Sequence, residues 1–326
     1  MIFNLRNFRQ KSKDTIRIGF SDNSPATERM MLEFLSAHFN IEITNNCDFL
    51  IHAFGQYGAD GQYGQFLSHN APVRIFFSQE NIIPDFNISD YAIGFPYIEF
   101  GDRYCRGPNY LFYDSFDYLS KIKQTQPGNP EELKFCNFIY SNGNCHPYRD
   151  AFFKQLHAIK HVDAAGGHLN NCNTQPQAAF SAGWEAAKVA FQRNYKFSIA
   201  MENSSTPGYT TEKIVHALAA GTIPIYFGDS LVARQFNSKR FINCHDFDNE
   251  DQVISRIIEI DNNDELFYSI LNEPFFPPDL PDQKENLKTF FAHIFSQEPT
   301  TAKRRNPHVW GPMYESRVGR SKSPAS

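Results

Sequence analysis

The residues with the most chemical promise in this sequence are crowded into one stretch, Phe197 to Asp229. Phe197, Ile199 and Met201 alternate through a short apolar run of strand length, which stops at the polar residues Glu202, Asn203, Ser204 and Ser205. Pro207 and Gly208 interrupt regular structure. A helix is then expected from Thr210 or Thr211, whose hydroxyl can cap it, with Ile214, Ala217 and Leu218 on its apolar side and Gly221 closing it. Ile223 to Phe227 reads as a buried strand. In such a strand–loop–helix unit the unpaired N–H groups at the helix start face the polar loop, and Lys213 sits one turn in, which is an arrangement that binds anions. Ligands of open α/β sheets lodge beyond the carboxyl ends of the strands, where Glu202 to Lys213 fall. An ordinary βα connection with solvated polar residues fits the bare pattern equally well.

Two residues elsewhere add to this set. Arg149 follows Pro147 in the first turn of a predicted helix, and a guanidinium there can hold diphosphate oxygens with paired N–H donors. Glu80 is delivered to a loop by the predicted strand Val73 to Ser78. By residue type alone, the first is also a solvated arginine and the second a loop glutamate in a salt bridge.

The elements that must position these groups alternate between strand and helix. Thr15–Ser21, 41–44, 48–54, 73–78 and 91–95 read as strands, with helices over 25–39 and 114–123. The polar, Pro/Gly-rich segment KQTQPGNPEEL (123–133) is the expected interdomain linker. Beyond it, 135–140 and 241–244 are predicted strands, with helices from Pro147, over 177–194, 250–260, 264–271 and 284–295, and a turn at 164–167. A chain of 326 residues exceeds the usual size of one core. We therefore expect an N-terminal domain over 1–125, a second over 126–298 that ends in closing helices, and a disordered basic tail over 299–326.

Composition excludes several classes. The net charge of −5 argues against a general nucleic-acid binder. Lys303, Arg304, Arg305, Arg317, Arg320 and Lys322 outweigh Glu315 in the tail, which suggests weak association with an anionic membrane surface, or merely a solvated tail. The six cysteines show neither CxxC nor zinc-ligand spacing, so reduced thiols and a cytoplasmic setting are simplest. No run approaches a membrane span, and no GxGxxG or GxxxxGK[ST] motif occurs. The repeat GQYG at 55 and 61 reads as a loop whose tyrosines could stack on sugars.

The ordered set Phe197, Glu202, Asn203, Tyr209, Thr211, Glu212, Lys213, Gly221, Pro224 and Gly228 resembles the donor-binding signature of the α-1,3/1,4-fucosyltransferases, glycosyltransferase family 10. The likeness extends over roughly residues 70 to 275 and sides with the bacterial members. It implies an α/β fold of two Rossmann-like domains facing a central cleft (GT-B), and inverting transfer of L-fucose from GDP-β-L-fucose to a GlcNAc hydroxyl of an N-acetyllactosamine-type glycan. Linkage of that glycan to lipopolysaccharide stays open.

By the same resemblance, Glu80 is the general base. Arg149 and Lys213 hold the diphosphate, Glu212 takes ribose or sugar hydroxyls, and Asn203 and Tyr209 take fucose or phosphate oxygens. Glu202 becomes a second carboxylate near the sugar, and the protein lies at most peripheral to the inner face of the membrane. No metal or cofactor is expected, since Asp246-Phe247-Asp248 reads as a coincidental DxD, although stimulation by Mn²⁺ or Mg²⁺ stays open. A changed acceptor or donor on the same fold, or a glycan-binding module without catalysis, are the alternatives.

Overall fold

In the computed structural model, residues 15–53, 64–69, 71, 73–125, 132–172, 176 and 181–320 are described. The GQYG repeat therefore lies outside the described residues, except Gly64. The chain divides into two compact units, one formed by 1–112 with 282–326 and the other by 113–281.

The first unit contains β1 (Ile16–Ser21), α1 (Pro25–Ser36), β2 (Ile41–Ile43), β3 (Phe49–His52), β4 (Val73–Phe77), β5 (Tyr91–Gly94) and β6 (Tyr104–Arg106). The second contains α2 (Asp114–Lys121), β7 (Lys134–Phe138), α3 (Pro147–Ile159), β8 (Val162–Ala164), α4 (Trp184–Gln192), β9 (Tyr195–Met201), α5 (Glu212–Ala219), β10 (Ile223–Phe227), β11 (Ile242–Asn243), α6 (Glu250–Asp261) and α7 (Asp264–Leu271). The chain ends with α8 (Gln283–Phe295), α9 (Pro299–Ala302) and α10 (Trp310–Arg320), which belong to the first unit.

Both sheets are parallel, in the orders β2-β1-β3-β4-β5-β6 and β11-β10-β9-β7-β8. Counted from its own first strand, each begins second-first-third-fourth-fifth, a doubly wound order with one topological switch point. The switch falls between β1 and β3 in the first unit and between β7 and β9 in the second. The fold is the expected pair of Rossmann-like units, of GT-B class. Strands buried on both faces read as near-continuous apolar runs, and β4, β5 and β10 are buried at every residue.

The closing helices supply core as well as cover. Phe291 of α8 lies 6.1 Å from Phe34, and Phe295 lies 5.3 Å from Phe39 and 4.9 Å from Phe49. Tilted and edge-on aromatic packing of this kind accounts for the phenylalanine-rich sequence of α8.

Several expectations are corrected. The division falls at 112/113 rather than 125/126, because α2 packs on α5 in the second unit. The segment around 164–167 contains the end of strand β8 before its turn, and neither β8 nor β6 was foreseen. The helix predicted over 177–194 spans Trp184–Gln192, and 177–180 lie outside the described residues.

The tail is not disordered over its described length. Pro312 does not break α10 because it sits in the first turn, where no intrahelical partner awaits its missing N–H. Two of its arginines are turned inward. Arg305 is buried against Asp90, with Nε 3.1 Å from its carboxylate, and Arg304 pairs with Asp102 at 2.7 Å. Asp90, itself fully buried, also accepts from the backbone N–H groups of Arg74, Arg304 and Arg305. Among the described residues, no helix is long and apolar enough to cross a membrane.

Removing one partner of such a buried pair leaves the other charge uncompensated. Asp90→Asn is expected to lower stability by about 3–5 kcal/mol in denaturant unfolding; a loss below about 1 kcal/mol would show that the strap is not held by this pair.

Candidate active site

The switch point of the second unit brings six of the predicted residues together, all but Glu80. After β7 the chain turns through Asn142 to His146, which starts α3; after β9 it turns through Glu202 to Thr211, which starts α5. The two loops are tied to each other: the His146 N–H donates to the Asn203 carbonyl at 2.7 Å. Arg149, fully buried in the first turn of α3, donates through Nη1 to Asn203 Oδ1 at 2.8 Å and through Nη2 to the Asn142 carbonyl at 2.5 Å. Its guanidinium lies 4.1 Å from the centre of the Tyr140 ring, and its Nε is buried without a hydrogen-bond partner. The nearest acid, Asp150, stands 3.6 Å away and is committed to His168 at 2.7 Å. Arg149 therefore presents a fixed cation with unused donor capacity beside Asn203.

On the other loop Glu202 is fully buried, and its carboxylate organises the start of α5. Oε1 accepts from the Thr211 N–H at 2.7 Å, while Oε2 accepts from the Thr211 hydroxyl at 2.6 Å and from Lys213 Nζ at 3.0 Å. The helix is thus not capped by the Thr211 hydroxyl, as the sequence suggested: Thr211 is the N-cap residue but makes no side-chain cap bond. Nor is Glu202 offered to a sugar, because both of its oxygens are turned into the protein. An Asp/Glu acceptor with this many donors holds the loop rather than a ligand.

Electrostatics agree with the geometry. Burial pushes the Glu202 carboxyl above its ordinary range, while Lys213 counteracts it. Burial opposes charge on Lys213 too, yet Glu202 and Glu212 outweigh that and raise it well above the usual lysine range. Glu212, 3.7 Å from Lys213 Nζ, is held down to about 2 by Lys213 and Lys188 against the cost of burial. Lys188, on α4, is pushed by burial to about 8. Sequence reasoning passed over Lys188, which has no motif around it. Its neighbour one turn back, Glu185, accepts from the Ser115 N–H at 2.8 Å and so docks α2 against α4.

A second carboxylate shapes the rest of the loop. Asp229 accepts from the Gly208 N–H at 2.6 Å, the Thr210 hydroxyl at 3.0 Å and the Leu231 N–H at 2.7 Å. Tyr209 is thereby carried in a buried turn, its N–H donating to the Thr206 carbonyl at 3.0 Å. Asp229 and Gly228 end the strand after the helix, and their contribution was not foreseen beyond the motif glycine. Gly228 has φ +152°, and a Cβ built there would stand 2.4 Å from Glu202 Cγ. Only glycine lets β10 close over the buried Glu202.

The DxD is engaged locally. Asp246 accepts from Asn243 at 2.9 Å, and the Asp248 carboxylate accepts from Gln252 Nε2 at 3.4 Å. Glu80 belongs to the first unit, at the carboxyl end of β4. Its loop is pinned by neighbours: the Glu80 N–H donates to Ser78 Oγ at 3.1 Å, and Gln79 accepts from Thr27 at 3.0 Å.

Two family models cover most of the chain. The α-(1,3)-fucosyltransferase FucT N-terminal domain matches residues 17–113, and the glycosyltransferase family 10 (fucosyltransferase) C-terminal part matches residues 130–272. The chain belongs to glycosyltransferase family 10. Within that family it is 32% identical over 248 residues to the α-(1,3)-fucosyltransferase FucT of Helicobacter pylori, covering 65% of this chain and 49% of that protein. It is 29% identical over 165 residues to the GDP-fucose protein O-fucosyltransferase 3 of Mus musculus, covering 48% of this chain and 34% of the relative. The chain thus spans at most about half the length of these relatives.

Among solved structures, that of an α1,3-fucosyltransferase with GDP-fucose superposes with a TM-score of 0.71 at 27% identity, covering 89% of this chain and 93% of that one. A second α1,3-fucosyltransferase crystal structure gives 0.72 at 27% identity over 92% and 95%.

Gly228→Ala is expected to destabilise the protein by about 1–3 kcal/mol, the cost of a residue forced into a sparsely populated backbone region, and to loosen the Glu202 network. An unfolding midpoint equal to wild type would show that the loop tolerates a side chain there.

Proposed function

We propose that this chain is an inverting fucosyltransferase that moves L-fucose from GDP-β-L-fucose to a GlcNAc hydroxyl of an N-acetyllactosamine-type glycan. One observation carries the reading: Arg149, Asn203, Lys213 and the starts of α3 and α5 converge at the switch point of the second sheet. This is where a parallel α/β sheet holds a nucleotide. The likeness to a fucosyltransferase crystallised with GDP-fucose supports the choice of donor.

As the C1–O bond to GDP breaks, its electron pair goes to the diphosphate, where negative charge grows. Arg149, Lys213 and Lys188 with the two helix starts meet that charge in fixed positions. Each exposed helix end contributes only about 0.3–1 kcal/mol, so the side-chain cations carry most of it. The acceptor oxygen forms its bond to C1 from the opposite face, giving the α-linkage, and its proton passes to Glu80. Glu212, kept ionised by its lysine neighbours, serves ribose or sugar hydroxyls as an acceptor, and Tyr209 lines the same loop. Because side chains supply the positive potential, the reaction proceeds without a divalent metal in this reading.

The mouse relative, named for protein O-fucosylation, supports a second reading in which the acceptor hydroxyl belongs to a polypeptide. The test is transfer from GDP-fucose in EDTA to N-acetyllactosamine and to a panel of Ser/Thr peptides. Wild type is expected to form an α-fucoside of the disaccharide, and Glu80→Ala to lose about 10²–10⁴-fold in rate with donor binding unchanged. Transfer to peptide alone would replace the acceptor. A Glu80→Ala rate within a few-fold of wild type would remove Glu80 as base, and failure to bind GDP-fucose would remove the reading altogether.

A further inference from the structure

The first unit contains a second cavity, of about 360 Å³, built where the C-terminal strap passes the sheet. That volume lies in the range of small-ligand clefts, about 300–1,000 Å³. Its walls include Phe86 and Asn87 from the connection leading into β5, Arg103 from the residue before β6, and Trp310, Tyr314 and Arg317 from α10. Because the sheet is parallel, residues just ahead of β5 and β6 lie at its amino end, whereas Glu80 leaves the carboxyl end of β4. The cavity is therefore separate from the edge that carries the predicted base.

Its chemistry is uneven. Acids close to it are already engaged. Asp85 accepts from the Tyr314 hydroxyl at 2.6 Å and from Asn87 at 2.9 Å, Asp102 is paired with Arg304, Asp90 with Arg305, and Glu315 lies 3.1 Å from Arg74. Arg103 is held differently: Nε and Nη2 donate to the backbone carbonyls of Asp90, Phe86 and Ser89 at 2.7–2.8 Å. Its guanidinium lies over the Phe86 and Phe100 rings at 5.2 and 5.0 Å. It is fixed in place without a carboxylate bonded to it. Arg317 is exposed and has no ion pair among the described residues. Beside these two cations stands Trp310, 73% exposed, the largest apolar face left uncovered in the described chain.

We propose that this cavity binds an anionic saccharide: a sugar ring against Trp310, with its carboxylate or phosphate held by Arg103 and Arg317. Arg317 can offer such an oxyanion its fork of N–H donors, and Arg103, whose Nε and Nη2 are taken by backbone carbonyls, adds a fixed charge and its Nη1. An indole beside it offers an apolar face with a polar rim, which a pyranose ring with its own apolar face and hydroxyl edge complements. A bilayer surface is the weaker fit. An interfacial helix displays a convex apolar face opposite a face rich in Lys and Arg. Here the side chains line a concavity, and Arg304 and Arg305 at the entry to α10 are tied inward. The site would grip a charged part of a glycan away from the reacting hydroxyl.

The test uses the full chain and follows tryptophan emission, which only Trp184 and Trp310 contribute, with calorimetry in parallel. The probes are a hexuronate disaccharide, a hexose 6-phosphate, neutral lactose, inorganic phosphate, and phosphatidylglycerol vesicles. Saturable binding of at least one charged sugar is expected, at least about tenfold tighter than lactose and phosphate. Trp310→Ala and Arg317→Glu, both at the surface, are each expected to weaken it at least about tenfold while leaving the unfolding midpoint and GDP-fucose binding as in wild type. The proposal is overturned if neither charged sugar binds, if lactose or phosphate binds as well, if both variants bind like wild type, or if vesicles alone engage the protein. GDP-fucose binding is read separately, so failure here leaves the donor site untouched.

Discussion

A buried ion pair at the end of β9 governs the second unit. Glu202 has no exposure and accepts three hydrogen bonds, one of them from Lys213, so the strand end, the loop and the first turn of α5 form one electrostatic unit. Burying a carboxylate is costly unless each of its oxygens is satisfied. That requirement fixes Thr211 as N-cap, draws Lys213 over the helix start, and leaves room only for glycine at 228. Because Lys213 is held by Glu202, its ammonium has a fixed position. The loss of some of its charge to that partner is offset by Arg149, whose bonds go to amide and carbonyl oxygens.

The first unit uses a related device for another purpose. Asp90 is a second fully buried carboxylate, and its partners are Arg305 and backbone N–H groups contributed by β4 and by the strap after α9. It binds the end of the chain back to the sheet, with the phenylalanines of α8 packed between α1 and β3. Arg304 and Arg305 are thus folded inward, while Trp310, Tyr314 and Arg317 of α10 remain exposed. One unit uses its buried carboxylate to order a loop and a helix start, and the other uses it to close a core.

Much of this was legible in the sequence. The alternation of apolar runs with helical periods gave both α/β units, since strands buried on two faces leave long apolar signatures. The β9–loop–α5 unit was legible because strand, polar turn, Pro-Gly and helix follow within a few residues of one another. What could not be read were pairings between distant residues of similar appearance. Glu202 and Glu212 are both loop-end glutamates by sequence, but one is buried as a cap and the other keeps a partly exposed carboxylate. Likewise Arg304 and Arg317 look alike in a basic tail, and only the fold commits the first to Asp102. Pro312 misled for a local reason: its effect depends on whether it stands in the first turn or later. The 123–133 segment had a linker's composition, yet the compact units divide before α2, because packing rather than polarity sets the boundary.

The most direct measurement is a calorimetric titration of GDP-fucose into wild type, Lys213→Met, and Lys213→Met combined with Glu202→Gln, with unfolding of each protein recorded in parallel. Lys213→Met alone should be about 3–5 kcal/mol less stable, because Glu202 is left buried and unpaired. The double variant, with no charge to compensate, should regain most of that stability yet bind GDP-fucose at least about a hundredfold more weakly than wild type, a difference near 2.7 kcal/mol. If the double variant folds and binds GDP-fucose like wild type, the pair at the end of β9 is a structural staple only, and the nucleotide sugar is held elsewhere.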